Sequence, residues 1–229
     1  MRYNVILFDL DNTIIDFDYS EKSALKQTFL TFNVEYKRSY LTYFHTVNDE
    51  LWKMLEKGLI DRPLLIKTRF QKLFDKFNIA NIDPIEFNAE YINNLAKGRK
   101  VIKGASQTIK TAFKMGAKCY FITNGLESVQ KNRLKNQPFS NCILGICVSE
   151  KVGAKKPEKA FFEKAEELFN IKFDEKTLIV GDSLTSDIQG GINARIDTCY
   201  VNRKKTVNSL GITPTYEVCD IKEVLDIIK

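Results

Sequence analysis

The sequence predicts an α/β fold, a doubly wound parallel sheet with an all-helical segment inserted soon after its first strand. Three observations carry this prediction. Four short runs, Val5–Phe8, Cys119–Ile122, Ile143–Val148 and Thr177–Val180, are apolar continuously rather than alternately, as parallel strands covered on both faces must be. Helical patterns separate the later runs, and alternating strands and helices wind into a parallel sheet. Residues 20–97 break that rhythm, with helical periodicity and no convincing strand. The domain expectation is a core of residues 1–16 and 99–229 and a helical domain of residues 17–98.

Taken in order, Val5–Phe8 runs into the acid-rich FDLDNTIIDFD of residues 8–18. In the insertion, Tyr40, Phe44, Val47, Leu51 and Leu55 recur every three or four residues, as do Ile66, Phe70, Leu73 and Phe77, each set forming one face of a helix. Asp83-Pro84-Ile85-Glu86 reads as an N-cap, a first-turn proline and an acid at the positive helix end. Charge-rich joints lie at Asp16–Asp18 and Lys97–Lys103. A helix is expected over Ala105–Met115, ended by Gly116, and another near Glu127. A third is expected to open at Pro157, a residue suited to the first helical position, with Phe161, Ala165, Leu168 and Phe169 as its apolar repeat. Thr198–Val201 is a weaker fifth strand.

The chain has 229 residues, 44% of them apolar, enough for a substantial core, and its charged fraction of 28% is that of an ordinary globular protein. Its net charge of +6 suits an anionic small substrate, but a solvated lysine-rich surface explains it equally. Without an arginine-rich run or a nucleic-acid module, no polynucleotide partner is expected. Five cysteines occur without a CxxC pair, which argues against a disulfide framework and against structural zinc. The N-terminus enters a strand directly, and no apolar run approaches membrane-spanning length, so a cytoplasmic protein with no membrane partner is expected.

Ligands of open α/β sheets bind beyond the carboxyl ends of the strands. Asp9 and Asp11 follow the first strand, Thr123-Asn124-Gly125 the second, Lys155 and Lys156 the third, and Gly181-Asp182-Ser183 with Asp187 the fourth. Carboxylates, a hydroxyl, an amide and a lysine on one rim suit phosphoryl transfer. An aspartate can attack phosphorus and form an aspartyl-phosphate. A hard divalent ion held by oxygen ligands offsets the crowded negative charge. Asp11, two residues along, could protonate the leaving oxygen and then take a proton from water.

These residues resemble the motifs of the haloacid dehalogenase (HAD) superfamily. Asp9-Leu10-Asp11-Asn12-Thr13 matches DxDxT, Thr123-Asn124 the second motif, Lys156-Pro157 the third, and Gly181-Asp182-Ser183-Leu184-Thr185-Ser186-Asp187 the fourth. The resemblance implies a Rossmann-like core with an inserted type-1 helical cap. It implies catalysis by Asp9 as nucleophile and Asp11 as acid/base, and phosphate binding by Thr123, Asn124 and Lys156. It further implies Mg²⁺ held by Asp9, the backbone carbonyl of Asp11, and Asp182, with Asp187 in support. "VNDELW", "ITNGLESVQ", "EKVGAKKPEKAFF" and "GDSLTSDIQGGINA" narrow the likeness to YjjG-like pyrimidine 5′-nucleotidases, implying a nucleoside monophosphate substrate. Arg195 departs from the pattern, standing where members usually carry glycine.

Competing functions share much of this inventory. A sugar-phosphate phosphatase or phosphomutase has the same core and a different cap, whereas a 2-haloacid dehalogenase needs neither Asp11 nor magnesium. A non-catalytic nucleotide-binding regulator would not need the full set of acids and lysine. His45 is the only histidine, so a Ser-His-Asp site would rest on it alone; it is expected to be a partly exposed helix residue. Phe17 and Tyr19 are the candidates for touching a nucleobase. Monomer and homodimer both remain open.

Overall fold

The computed structural model describes residues 1–229. Its strands are β1 (Val5–Phe8), β2 (Lys118–Thr123), β3 (Ile143–Val148), β4 (Thr177–Gly181), β5 (Asp197–Val201) and β6 (Tyr216–Val218). They form one parallel sheet in the order β3-β2-β1-β4-β5-β6. Central β1 pairs with both neighbours, Phe8 lying level with Phe121 and with Val180, so the carboxyl ends of all three strands lie on one side of the sheet. β6 goes beyond the sequence expectation. Its three residues are too few to show a period, and pairing of Val218 with Val201 defines it.

Both faces of the sheet are covered, which is why β1 is apolar at every position. Ile6 and Phe8 pack with Phe121, Leu178 and Val180 against Ile109 of α5 (Ala105–Lys114) and against Val224 and Ile228 near the C-terminus. Leu7, Tyr120, Ile122 and Ile179 face Phe161, Phe162 and Ala165 on the other side. Each fully buried Leu, Ile or Phe contributes roughly 1.5–3 kcal/mol. The helix bearing those last three, α8 (Lys159–Phe169), follows the single-turn α7 (Ser149–Val152) and starts two residues later than expected. The Lys156–Pro157 peptide is cis, and the Asn124 side chain brackets Lys156, donating to its carbonyl and accepting from its N–H, each at 2.9 Å. Asn124 thereby fixes the backbone just ahead of the helix. Leu168, placed on the apolar repeat, is 48% exposed.

The chain divides into two compact units, residues 1–16 with 99–229, and residues 17–98. The second consists of α1 (Phe17–Thr31), α2 (Arg38–Glu56), α3 (Arg62–Phe77) and α4 (Pro84–Leu95). Asp61 caps α3 by accepting from Leu64 N–H at 2.9 Å, and Asp83 caps α4 by accepting from Ile85 N–H at 2.7 Å. Its core is aromatic, with Phe44 stacked on Phe70 at 4.8 Å and Phe87 edge-on to Phe29 and Phe70 at 4.9 Å. A polar chain crosses that core. Buried Arg69 donates to Asn88 and Asn48, Asn48 donates to buried Glu21, and Glu21 meets His45 Nδ1 at 2.8 Å. No helix is long and apolar enough to cross a membrane.

Candidate active site

Asp9 stands one residue beyond the end of β1, its N–H donating to Val180 O at 2.9 Å. The ladder therefore fixes its backbone, and its side chain is almost wholly buried. Lys156, 1% exposed, donates from Nζ to Asp9 Oδ1 and Asp187 Oδ1, each at 2.6 Å, and to the Ile122 carbonyl at 3.3 Å. Its three donors meet three acceptors from three segments of the chain.

Asp187 reaches the lysine through a local irregularity. Residues Leu184–Ile188 form one π-helical turn, with Ile188 N–H bonded to Ser183 O at 3.1 Å. Such widened turns recur at functional sites. Here the turn lets Asp187 Oδ2 accept from Ser183 N–H at 3.1 Å while Oδ1 faces Lys156. Gly181 makes room for it, since a Cβ there would lie 2.2 Å from Asp187 Oδ2. Thr13 donates to Asp182 Oδ1 at 3.4 Å.

One carboxylate oxygen each from Asp9, Asp182 and Asp187 lies within 4.8 Å of the others. Burial raises the pKa of Asp9 to about 7, the charges of Asp187 and Asp11 push the same way, and Lys156 opposes them. Burial likewise holds Asp182 well above the usual carboxylate range, reinforced by Asp9 and Asp187. Burial works against the charge of Lys156, but Asp187 and Asp9 outweigh it, so the ammonium persists. Two buried carboxylates, Asp9 and Asp187, and the half-buried Asp182 thus share a site with one buried cation. The excess negative charge and the all-oxygen donor set fit a hard divalent cation such as Mg²⁺.

The carboxylate of Asp11 points elsewhere. Arg133 Nη1 donates to its Oδ1 at 2.5 Å and Gln130 Nε2 to its Oδ2 at 2.6 Å. Both side chains come from α6 (Glu127–Leu134) and are buried. The resemblance assigns Asp11 to the cation through its backbone carbonyl, so this side-chain direction leaves that role open. Thr123 Oγ1 accepts from Gly125 N–H at 3.0 Å and from Gln130 Nε2 at 3.2 Å. With two lone pairs so occupied, its remaining capacity is to donate. The Asn124 side chain holds the Lys156 peptide and so the backbone from which the lysine extends. Phe17, Tyr19 and His45 belong to the separate helical unit.

Gln130 and Arg133 are the pair that motif spacing did not single out. Their signal lay in periodicity, because a glutamine and an arginine three apart on a short helix share one face, and here that face is buried.

Residues 3–195 match the family model described as hydrolase, haloacid dehalogenase-like hydrolase. The pyrimidine 5′-nucleotidase PynA of Streptococcus pneumoniae is 35% identical over 226 residues, covering 99% of this chain and 95% of the relative. The pyrimidine 5′-nucleotidase YjjG of Escherichia coli is 31% identical, covering 98% and 97%. The magnesium-bound crystal structure of YfnB from Bacillus subtilis superimposes with a TM-score of 0.94 at 34% identity, covering all of both chains.

Proposed function

The chain belongs to the haloacid dehalogenase-like hydrolases, and on that footing we propose that it is a Mg²⁺-dependent phosphomonoester hydrolase acting on pyrimidine nucleoside 5′-monophosphates. The observation that carries the chemistry is the grouping of Asp9, Asp182 and Asp187 around Lys156 at the carboxyl ends of parallel strands. The nucleotide preference rests on the two nucleotidase relatives.

In this mechanism an Asp9 oxygen attacks phosphorus as the ester P–O bond breaks, leaving an aspartyl-phosphate. Asp11 gives its proton to the departing alkoxide. Water then attacks the same phosphorus, Asp11 takes a proton back, and Asp9 is released with inorganic phosphate. Lys156 and the Thr123 hydroxyl donate to the phosphoryl oxygens as their charge redistributes. Asn124 and Asp187 hold Lys156 in place. Bound Mg²⁺ supplies positive charge against nucleophile and phosphate, and Asp9, Asp182 and the Asp11 carbonyl are the groups that would hold it. Residues 17–98 act as a cap that selects the substrate.

A panel of UMP, dUMP, TMP and sugar phosphates, scored by kcat/KM with Mg²⁺ and with EDTA, tests this. Pyrimidine nucleotides are expected to lead, and EDTA to abolish turnover. Strong preference for sugar phosphates would overturn the nucleotidase assignment, and full activity in EDTA would overturn the metal requirement.

A further inference from the structure

Resting on the phosphatase mechanism above, we propose that Gln130 and Arg133 are positioning residues for Asp11, fixing its carboxylate where it exchanges a proton with the leaving group. An aspartate carboxyl turns easily about χ2, so position along the chain alone does not aim it. Here each oxygen has its own donor, Arg133 Nη1 at 2.5 Å and Gln130 Nε2 at 2.6 Å. Both donors are rigidly based. Arg133 is fully buried and Gln130 is 1% exposed. Gln130 also donates to Thr123 Oγ1 at 3.2 Å, linking the acid/base to the phosphate-binding hydroxyl.

Two further features set this grip. A Cβ on Gly125 would sit 2.3 Å from Gln130 Nε2, so glycine at 125 admits the amide. At the far end of α6, Gln137 donates to Arg133 O at 2.8 Å and to Arg99 O at 3.2 Å, fastening the backbone that carries the arginine. A fully buried arginine is rare unless paired, and the pair made here is with Asp11. Proton transfer needs the reacting groups within hydrogen-bond reach, and small misplacements slow reactions steeply.

The role separates from mere core filling by leaving group. An alkoxide needs a proton as it departs, whereas p-nitrophenolate does not. Rapid mixing is run with Mg²⁺ on wild type, Arg133→Met, Gln130→Leu and Arg133→Lys. The substrates are p-nitrophenyl phosphate and the alkyl monophosphate turned over fastest in the panel above. With the alkyl ester, Arg133→Met and Gln130→Leu are expected to lower kcat about 100-fold at unchanged KM, with partial recovery in Arg133→Lys. With the aryl ester the p-nitrophenolate burst is expected to survive while phosphoenzyme accumulates, because water attack on Asp9 still needs Asp11.

Slowing of the p-nitrophenolate burst by the same factor as kcat on the alkyl ester, or wild-type kcat on the alkyl ester in a folded variant, would overturn the positioning role alone. If Arg133→Met does not fold, Gln130→Leu decides by the same criteria. Wild type that hydrolyses neither ester would overturn the phosphatase mechanism and this inference with it.

Discussion

Lys156 is the residue on which the charge balance of the site turns. Its ammonium is enclosed by Asp9, Asp187 and a carbonyl, with 1% exposure. Deleting one partner of a buried ion pair leaves the other uncompensated, at a cost of about 3–5 kcal/mol. Lys156→Met is therefore expected to lose stability of that order in metal-free denaturant titrations, and to lose activity with it. Asp9→Asn should behave differently, because the lysine keeps Asp187 and one of the crowded carboxylates loses its charge. It is expected to fold as wild type does yet release no phosphate above background. A variant that unfolds would show that Asp9 is needed for the fold, and a folded, active one would refute its role as nucleophile.

Among the elements, helix ends show how the chain turns. Six of the eight non-glycine residues with positive φ are asparagines, including Asn78 and Asn170 at the C-caps of α3 and α8. Asparagine tolerates this region better than most residues. Arg195, at the C-cap of α9 (Gln189–Ala194), has φ 59° and ψ 40° without that tolerance. The left-handed geometry costs an arginine roughly 1–2 kcal/mol, part of which glycine would return as unfolded-chain entropy. Arg195→Gly is thus expected to raise the melting temperature modestly, with activity unchanged; a lower value would contradict the strain. Between α1 and α2, the hydrogen bond to Glu21 raises the pKa of His45 to about 9, burial opposing and the charges of Glu21, Asp49 and Asp18 assisting. A folded-state pKa above the unfolded one, near 6.5, means stability that is complete below about pH 6.5 and lost as pH rises through about 9. His45→Gln should consequently lower the melting temperature most near pH 6 and converge on wild type near pH 10. Since the imidazole is 40% exposed, solvent screens this effect. A melting-temperature difference that does not vary with pH would exclude the linkage.

At the level of the whole molecule, the parallel sheet was legible because both its faces are covered, which writes Val5–Phe8 and Thr177–Val180 as unbroken apolar runs. The gathering of Asp9, Lys156, Asp182 and Asp187 could be read for a related reason, since parallel strands place their carboxyl ends on one side. What sequence could not give depended on contacts between distant segments. The grip of Asn124 on the Lys156 peptide joins segments 32 residues apart, and the Asp11 clasp comes from the buried face of α6. The division into two units, each with its own core, has an energetic consequence for the metal. All the proposed ligands lie in residues 1–16 and 99–229, so binding should stabilise that unit. At about 100 times Kd a bound ion adds roughly 2.7 kcal/mol. Hydrogen exchange in Mg²⁺ is therefore expected to show added protection around residues 9–13 and 181–188, with α2 and α3 unchanged, and Asp182→Asn should erase the difference. Equal protection in α2 and α3 would mean that the helical unit shares in the binding energy. No added protection anywhere would remove Mg²⁺ from the site.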